Sequence, residues 1–130
     1  MSEQIYELNE QEVTPLVDAD VEEVIKAMCD ILDSKKARNI KVYSVGGKSD
    51  ITDYTILATG TSSTHVKALA DELEYQTARR GVPPIHFEGR GNGSWIVVDY
   101  ANIIVHVFSN EAREFYNLDR LYNDATEVQF

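Results

Sequence analysis

The sequence has little cysteine and no long apolar run. Cys29 is its only cysteine, so no internal disulfide can form and a secreted scaffold held by disulfides is excluded. No apolar stretch approaches the ~20 residues that a membrane-spanning helix needs. The N-terminus also lacks the basic-then-apolar pattern of a signal peptide. We therefore expect a soluble protein of a reducing compartment, the cytoplasm.

Basic residues are scarce as well. Lysine and arginine number 12 against 22 aspartates and glutamates, which gives a net charge of −10 and a pI near 4.6. A chain this acidic lacks the positive field that supplies most non-specific affinity for nucleic acid, and an anionic membrane surface would repel it. We expect no direct binding of nucleic acid and no membrane binding, but a basic protein as the partner.

The 130 residues are enough for one ordinary domain with a sizeable core. Residues 1–19 show no clear period, contain Pro15 and are rich in acids, which predicts an acidic, mobile tail. From residue 20 the apolar pattern becomes regular, and the chain shows no internal repeat. The sequence therefore predicts a single α/β domain over residues 20–130.

Two helices in the first half are indicated by capping residues that precede apolar residues at helical spacing. Asp20 and Glu23 fit a capping box, and the apolar stripe that follows continues to Leu32. Thr61 or Ser62 can cap a second, longer helix. Its inward positions are predicted to be Val66, Leu69, Ala70, Leu73 and Thr77.

Five short segments have the β-branched and aromatic composition of strands. They cover residues 40–45, 54–59, 85–88, 95–100 and 103–108. The last two are apolar on both faces, which predicts a buried, central position in a sheet. Only Ala101-Asn102 separate them, and a two-residue connection predicts antiparallel neighbours. Ser109 or Asn110 can then cap a third helix, in which we expect Phe115 to point inward. The element order predicts an α/β sandwich with a mixed sheet of five strands covered by helices.

Several patterns that often carry chemistry have simpler structural interpretations here. Residues 89–93 read Gly-Arg-Gly-Asn-Gly, but they join two strands and lack the spacing of a dinucleotide-binding loop, which favours a hairpin turn. Gly47-Lys48-Ser49 lacks the first glycine of a P-loop. His106 alternates within an apolar strand and Cys29 continues a helical stripe, so a partly buried imidazole and a buried thiol are expected. No histidine pair has the close spacing of a zinc site.

The segment Gly60-Thr61-Ser62-Ser63 follows a strand and opens a helix, as in nucleotidyltransferases. That chemistry needs two metal-binding carboxylates on a strand beyond the helix. The strands that follow supply only Glu88 and Asp99, at separate places. The sequence therefore predicts no enzyme, no cofactor and no metal site. A nucleotidyltransferase-like protein that still binds a nucleotide is the alternative.

A series of short motifs recurs in one order along the chain. They are Asp53-Tyr54, Thr59-Gly60, His86-Phe87-Glu88-Gly89, Gly93-Ser94-Trp95, Asp99-Tyr100, Val105-His106-Val107-Phe108 and Arg113-Glu114-Phe115-Tyr116, followed by Leu118, Leu121 and Asp124-Ala125. In this order they resemble the ribosomal silencing factor family, also called the Iojap-like proteins, over residues 20–125. Two departures are Asn102, where the family usually has Asp, and Tyr122, where it usually has Trp.

The resemblance implies the fold and the function of that family. Its members have an α/β sandwich related to nucleotidyltransferases, without the catalytic carboxylates. They bind the large ribosomal subunit through the basic ribosomal protein numbered fourteen on the intersubunit face, block joining of the small subunit and restrain translation when nutrients are scarce. We expect the same of this chain.

Residue type and motif position single out seven candidates for the partner contact: Glu88, Trp95, Asp99, Tyr116, Asp119, Tyr122 and Asp124. The acids suit a basic partner, and aromatic residues often anchor interfaces. Each has a simpler alternative, since Trp95 can belong to the core and the acids can be solvated surface carboxylates. The sequence leaves the free oligomeric state open; a homodimer that hides an apolar patch would be reasonable.

Overall fold

The computed structural model describes residues 14–46, 52–91 and 93–129, which form two long helices, two short helices and one six-stranded sheet. The helices are α1 (Val21–Ser34), α2 (Ser63–Arg79), α3 (Asn110–Tyr116) and α4 (Leu118–Leu121). The strands are β1 (Arg38–Ser44), β2 (Tyr54–Gly60), β3 (His86–Glu88), β4 (Trp95–Asp99), β5 (Ile103–Ser109) and β6 (Thr126–Val128). The predicted mixed α/β class is confirmed.

Polar side chains cap the helices where the sequence predicts them. The Asp20 carboxylate accepts a hydrogen bond from the backbone N–H of Glu23 at 2.9 Å and caps α1. Ser62 caps α2 and Ser109 caps α3 in the same way. Each cap satisfies an N–H group that the first turn of a helix leaves without a partner. The predicted inward stripe of α2 is buried: Val66, Leu69, Ala70, Leu73 and Thr77.

The strands are arranged in the order β3-β4-β5-β2-β1-β6. β2 and β5 are parallel, and the other neighbouring pairs are antiparallel, including the predicted pair β4 and β5. The prediction of five strands is wrong because β6 adds a sixth at the edge beside β1, where Val42 pairs with Val128. β6 has only three residues, too few to show an alternating pattern in the sequence.

The two faces of the sheet are covered differently. Helices α1 and α2 pack on one face and form the main core with inward strand residues such as Ile56, Val98 and Val105. On the opposite face, among the described residues, α3 and α4 cover only one end, around Tyr43 and Phe108. We call the part of this second face formed by β3, β4 and β5 the open face.

Two glycines are required by the backbone near the sheet. A Cβ on Gly60 would lie 2.9 Å from the backbone nitrogen of Val66, so only glycine lets the end of β2 lie this close to α2. Gly89 has a φ of +81° at the start of the turn between β3 and β4, a conformation that favours glycine. The predicted hairpin is confirmed by the antiparallel pairing of β3 and β4 on either side of the turn. Residues 47–49 and residue 92 lie outside the described residues.

Part of the predicted tail packs against the domain. Leu16 is 3% exposed and belongs to the main core, and its N–H donates to the carbonyl of Arg80 at 2.7 Å. The guanidinium Nε of Arg80 in turn donates to the carbonyl of Thr14 at 2.7 Å. Residues 1–13 lie outside the described residues, so for them a mobile tail stays a prediction.

Candidate partner-binding surface

The open face presents alternating apolar, polar and acidic side chains. Direct pairing places Glu88 beside Val97, and Val97 beside His106, across β3, β4 and β5. Further along the same strands, Asp99 lies beside Ile104. Val97, Ile104 and His106 are half-buried because the short C-terminal helices cover only one end of this face. A partner can therefore reach side chains that a sheet would otherwise bury.

Trp95 lies at the border between the open face and the C-terminal helices. Its indole Nε1 donates a hydrogen bond to Nδ1 of His106 at 3.0 Å. Its ring stacks on Phe108 with 5.2 Å between centroids and packs against Tyr116 at 4.4 Å. The side chain is half-buried, so Trp95 combines a role in the fold with surface that a partner can contact.

His106 is a neutral imidazole on this face. Burial lowers its pKa to about 4. Because the indole of Trp95 donates to Nδ1, the single ring proton of the neutral form is on Nε2. The predicted partly buried imidazole is confirmed, and His106 adds no positive charge near Glu88 and Asp99 at neutral pH.

Glu88 and Asp99 both have partners within the domain. Glu88 and His86 form a hydrogen bond of 2.9 Å between Oε1 and Nε2, and both side chains are largely exposed. The Asp99 carboxylate accepts a hydrogen bond of 2.7 Å from the N–H of Ala101, which has a φ of +72° in the turn between β4 and β5. Asp99 therefore stabilises this turn, whereas Glu88 is the more available of the two acids for a partner.

An ion pair ties the C-terminal helices to the sheet. Nε and Nη2 of Arg113 donate to the two carboxylate oxygens of Asp119 at 2.7 and 3.0 Å. Arg113 also donates to Oγ1 of Thr59 at 2.9 Å, and the Tyr43 hydroxyl donates to Asp119 at 3.2 Å. The hydrogen bonds from Arg113 are the largest cause that lowers the pKa of Asp119. The charge of Asp119 is already compensated, which makes it a weaker candidate for the partner contact than Glu88.

Three apolar side chains of α3 and α4 are exposed to solvent. Phe115 is 81% exposed, Leu121 67% and Tyr116 49%. The prediction that Phe115 points inward is wrong: α3 has seven residues and buries only Ala112, so Phe115 lies on its outer side. Neighbouring exposed apolar side chains mark interaction sites more often than single ones do. We call the open face together with these three side chains the candidate surface.

The structure brings the seven predicted contact residues to one side of the molecule. Strands β3 and β4 place Glu88, Trp95 and Asp99 on the open face, and the C-terminal segment that covers its end carries Tyr116, Asp119, Tyr122 and Asp124. Tyr122 is half-buried and stacks on Tyr43 with 5.6 Å between centroids. Sequence reasoning missed Leu121, Val97 and Ile104, because their exposure depends on which sheet face the helices leave uncovered.

Among the described residues, no group of three or more histidine, cysteine, aspartate or glutamate side chains could hold a metal ion. None of the helices in those ranges has both the length and the apolar composition needed to cross a membrane.

Burial is the main cause that raises the pKa of Cys29 to about 11. Its thiol packs against the main core and is protonated at neutral pH.

The fold and the candidate surface define a small mixed α/β domain with acidic and aromatic side chains exposed on one side. The family model described as "Ribosomal silencing factor during starvation" matches residues 18–130. The chain belongs to this family, as its ordered motifs predict.

Relatives in bacteria and in mitochondria share the domain. A ribosomal silencing factor RsfS of Haemophilus influenzae is 39% identical over 99 residues, which cover 76% of this chain and 97% of the relative. A mouse protein named mitochondrial assembly of ribosomal large subunit protein 1 is 31% identical over 101 residues, which cover 75% of this chain and 44% of the relative. A crystal structure of a Chromobacterium violaceum protein aligns with a TM-score of 0.78 at 27% identity and covers 85% of this chain and 92% of that one.

Proposed function

We propose that this protein binds the large ribosomal subunit through the basic ribosomal protein numbered fourteen, on the intersubunit face, and there blocks joining of the small subunit. The observation that carries the proposal is the family match over residues 18–130, whose description names silencing during starvation. The name of the mouse relative refers to the large ribosomal subunit, which supports that subunit as the partner. The protein acts in the cytoplasm and represses translation when nutrients are limiting.

The candidate surface suits a basic protein partner. Glu88 keeps its carboxylate largely exposed beside His86, and the whole chain carries a net charge of −10. Charge complementarity of this kind speeds association and rejects acidic partners. Phe115 and Tyr116 supply exposed aromatic area on the candidate surface, as interface anchors do. A standard interface of about 800 Å² per partner is a modest part of the 7867 Å² of accessible surface.

The proposed mechanism needs occupancy and no catalysis. A protein that binds a surface required by the small subunit competes with it by mass action. When this protein is present at a concentration a hundredfold above its dissociation constant, binding of the small subunit becomes less favourable by ~2.7 kcal/mol. We propose that the protein is not an enzyme. The neutral imidazole of His106 and the indole of Trp95, joined by a hydrogen bond of 3.0 Å, serve as a rigid part of the contact.

Sedimentation of lysate on a sucrose gradient tests the partner directly. We expect the protein in the fraction of free large subunits, with little in translating 70S ribosomes, because the contact lies where the small subunit docks. Equal distribution on both subunits, or absence from every ribosomal fraction, would contradict the proposal.

A pair of variants tests the candidate surface. Phe115→Ala removes an exposed ring from the surface, and Tyr75→Ala removes a ring that is 55% exposed on α2, on the other side of the sheet. Neither change opens a cavity, so both should leave the melting temperature nearly unchanged. We expect only Phe115→Ala to weaken inhibition of subunit joining, by about tenfold in the concentration required. Equal inhibition by both variants would place the contact elsewhere.

A further inference from the structure

Three basic side chains cluster after α1 in a chain whose net charge is −10. Lys35, Lys36 and Arg38 line an open depression of about 360 Å³ together with Thr61 and His65. The three cations lie within four consecutive residues. The local field at this point of the surface is therefore positive, although the summed charge of the protein is strongly negative.

Four of the eight other basic side chains in the described ranges form an ion pair with an acid, and Lys67, Arg79, Arg80 and Arg120 do not. The ion pairs are Lys26 with Asp30, Lys41 with Glu127, Arg90 with Glu74 and Arg113 with Asp119. Within residues 14–46, 52–91 and 93–129, no salt bridge joins Lys35, Lys36 or Arg38 to a carboxylate. Like charges gathered without a counter-charge repel one another in the free domain, and a negatively charged ligand would relieve that repulsion.

Lys36 occupies a backbone conformation that favours glycine. After α1, the N–H of Lys36 donates to the carbonyl of Asp33 at 2.9 Å, and the N–H of Ala37 donates to the carbonyl of Leu32 at 3.0 Å. These two bonds form a Schellman-type helix end, in which the left-handed residue is usually glycine. Lys36 has a φ of +65°. The sequence thus keeps a charged side chain at a position where glycine would be less strained.

His65 fixes the loop that carries the cluster. Its Nδ1 accepts a hydrogen bond from the backbone N–H of Thr61 at 2.9 Å. Its Nε2 donates to the carbonyl of Lys35 at 2.7 Å. Both ring nitrogens are engaged, so the loop is held against the start of α2 before any ligand arrives. A cluster that is positioned in advance loses less entropy on binding.

We propose that Lys35, Lys36 and Arg38 bind phosphate groups of the RNA backbone of the large subunit, beside the protein contact. This inference rests on the proposed function, which brings the domain to a particle rich in RNA. Lysine and arginine are the side chains that contact backbone phosphates without reading sequence. The expectation of no direct nucleic-acid binding follows from the summed charge; a contact made next to a protein interface needs no affinity of its own for free RNA.

The lining of the depression favours RNA backbone over a free nucleotide. Binding of a free base is commonly supported by stacking on an aromatic ring. The lining contains no phenylalanine, tyrosine or tryptophan, and its single ring is the small imidazole of His65. Phosphodiester groups need only the cations.

The depression also lies at the end of the sheet that carries α3. Arg38 pairs with Thr59 near the end of β2, and Gly60 pairs with Ser109, the cap of α3. A phosphate contact here would therefore lie at the same end of the domain as the exposed side chains of α3.

Salt dependence of binding tests the phosphate contact. The cluster variant combines Lys35→Gln, Lys36→Gln and Arg38→Gln. The matched control combines Lys26→Gln, Lys67→Gln and Arg90→Gln, which changes the net charge by the same amount at other places. Affinity for purified large subunits is measured at several salt concentrations, and affinity for the isolated ribosomal protein at one.

We expect the cluster variant to bind large subunits more weakly and to lose about 2 units of the slope of log affinity against log salt, because each lost phosphate contact removes about 0.7. The control should keep nearly the wild-type slope, and the cluster variant and the control, which carry the same net charge, should bind the isolated ribosomal protein equally. Lys36→Gly alone should raise the melting temperature by a few degrees while it weakens subunit binding. A merely structural lysine would not produce that opposite pair of effects.

Each other outcome overturns the inference. If wild type and the cluster variant bind large subunits with the same affinity and slope, the RNA contact is wrong and the protein contact stands. If the cluster variant also loses affinity for the isolated ribosomal protein, the cluster belongs to the protein contact. If tripolyphosphate stabilises wild type but not the cluster variant and subunit binding is unchanged, the site binds free phosphate. If wild type does not bind large subunits at all, the proposed function fails first.

Discussion

Acid should destabilise this domain through one imidazole on the open face. Burial lowers the pKa of His106 to about 4 in the folded protein, whereas an unperturbed histidine in the unfolded chain titrates near about 6.5. Between these two values the unfolded chain binds a proton that the folded protein does not. The stability that comes from a neutral His106 is fully present above about pH 6.5 and is lost as the pH falls toward about 4.

Proton linkage gives the magnitude. One unit of pKa difference between the folded and the unfolded protein corresponds to about 1.4 kcal/mol. About two units of the His106 difference fall between pH 7.5 and pH 4.5. We therefore expect His106 alone to remove about 2.5 kcal/mol of unfolding free energy over that range. Protonation of Nδ1 would also break the 3.0 Å hydrogen bond that the ring accepts from Trp95.

Urea unfolding of wild type and His106→Gln at pH 7.5, 6.0 and 4.5 measures this loss. Glutamine does not titrate, and its side-chain oxygen can still accept a hydrogen bond from the indole. Trp95 is the only tryptophan, so its emission reports on the site itself. The stability difference between the two proteins should shift by about 2.5 kcal/mol in favour of the variant as the pH falls. Parallel pH profiles, or an NMR titration of His106 with a midpoint near 6.5, would refute the reasoning.

Three further changes have defined expected results. Arg113→Ala removes the bonds that hold α4 on the sheet and should cost about 2–3 kcal/mol in chemical unfolding; an unchanged midpoint would mean that the ion pair adds nothing. Deleting residues 1–19 removes Leu16 from the core and should lower the melting temperature by several degrees, since emptying such a site costs about 2–5 kcal/mol. Deleting residues 1–13 should not lower it, and equal losses would show that the acidic segment itself stabilises the domain. Ser62→Ala should cost about 1 kcal/mol through the lost cap of α2; circular-dichroism melts would contradict this by showing no shift.

Local signals made the helices predictable from the sequence. Asp20, Ser62 and Ser109 cap the three predicted helices, since capping depends on residues only three positions apart. The inward stripe of α2 follows from the helical period in the same way. The strands with apolar runs were predictable too, because β2, β4 and β5 bury residues against the main core.

The two wrong predictions, the number of strands and the inward position of Phe115, concern features that depend on how the elements pack. β6 pairs with the edge of β1, and a segment of three residues shows no strand pattern in the sequence. Phe115 is apolar but lies on a helix too short to bury a second side chain. The partner contact of Asp119 stays a prediction, although Arg113 already compensates its charge at 2.7 Å. Candidate residues could be selected by type, but the face they share is set by strand order, and the partners they already have are set by tertiary packing.

The parallel pairing of β2 with β5 explains how an acidic chain can use a small basic cluster. Because Gly60 pairs with Ser109, α2 and α3 begin at the same end of the sheet. The start of α2 holds the basic loop through His65, and α3 carries the exposed ring of Phe115. A rigid sheet therefore sets the separation between the proposed protein contact and the proposed phosphate contact. Once the first contact forms, the second becomes intramolecular, and its high effective concentration compensates for weak intrinsic affinity. Three cations can then contribute to binding on the ribosome, although the net charge of −10 would keep the free protein away from free RNA.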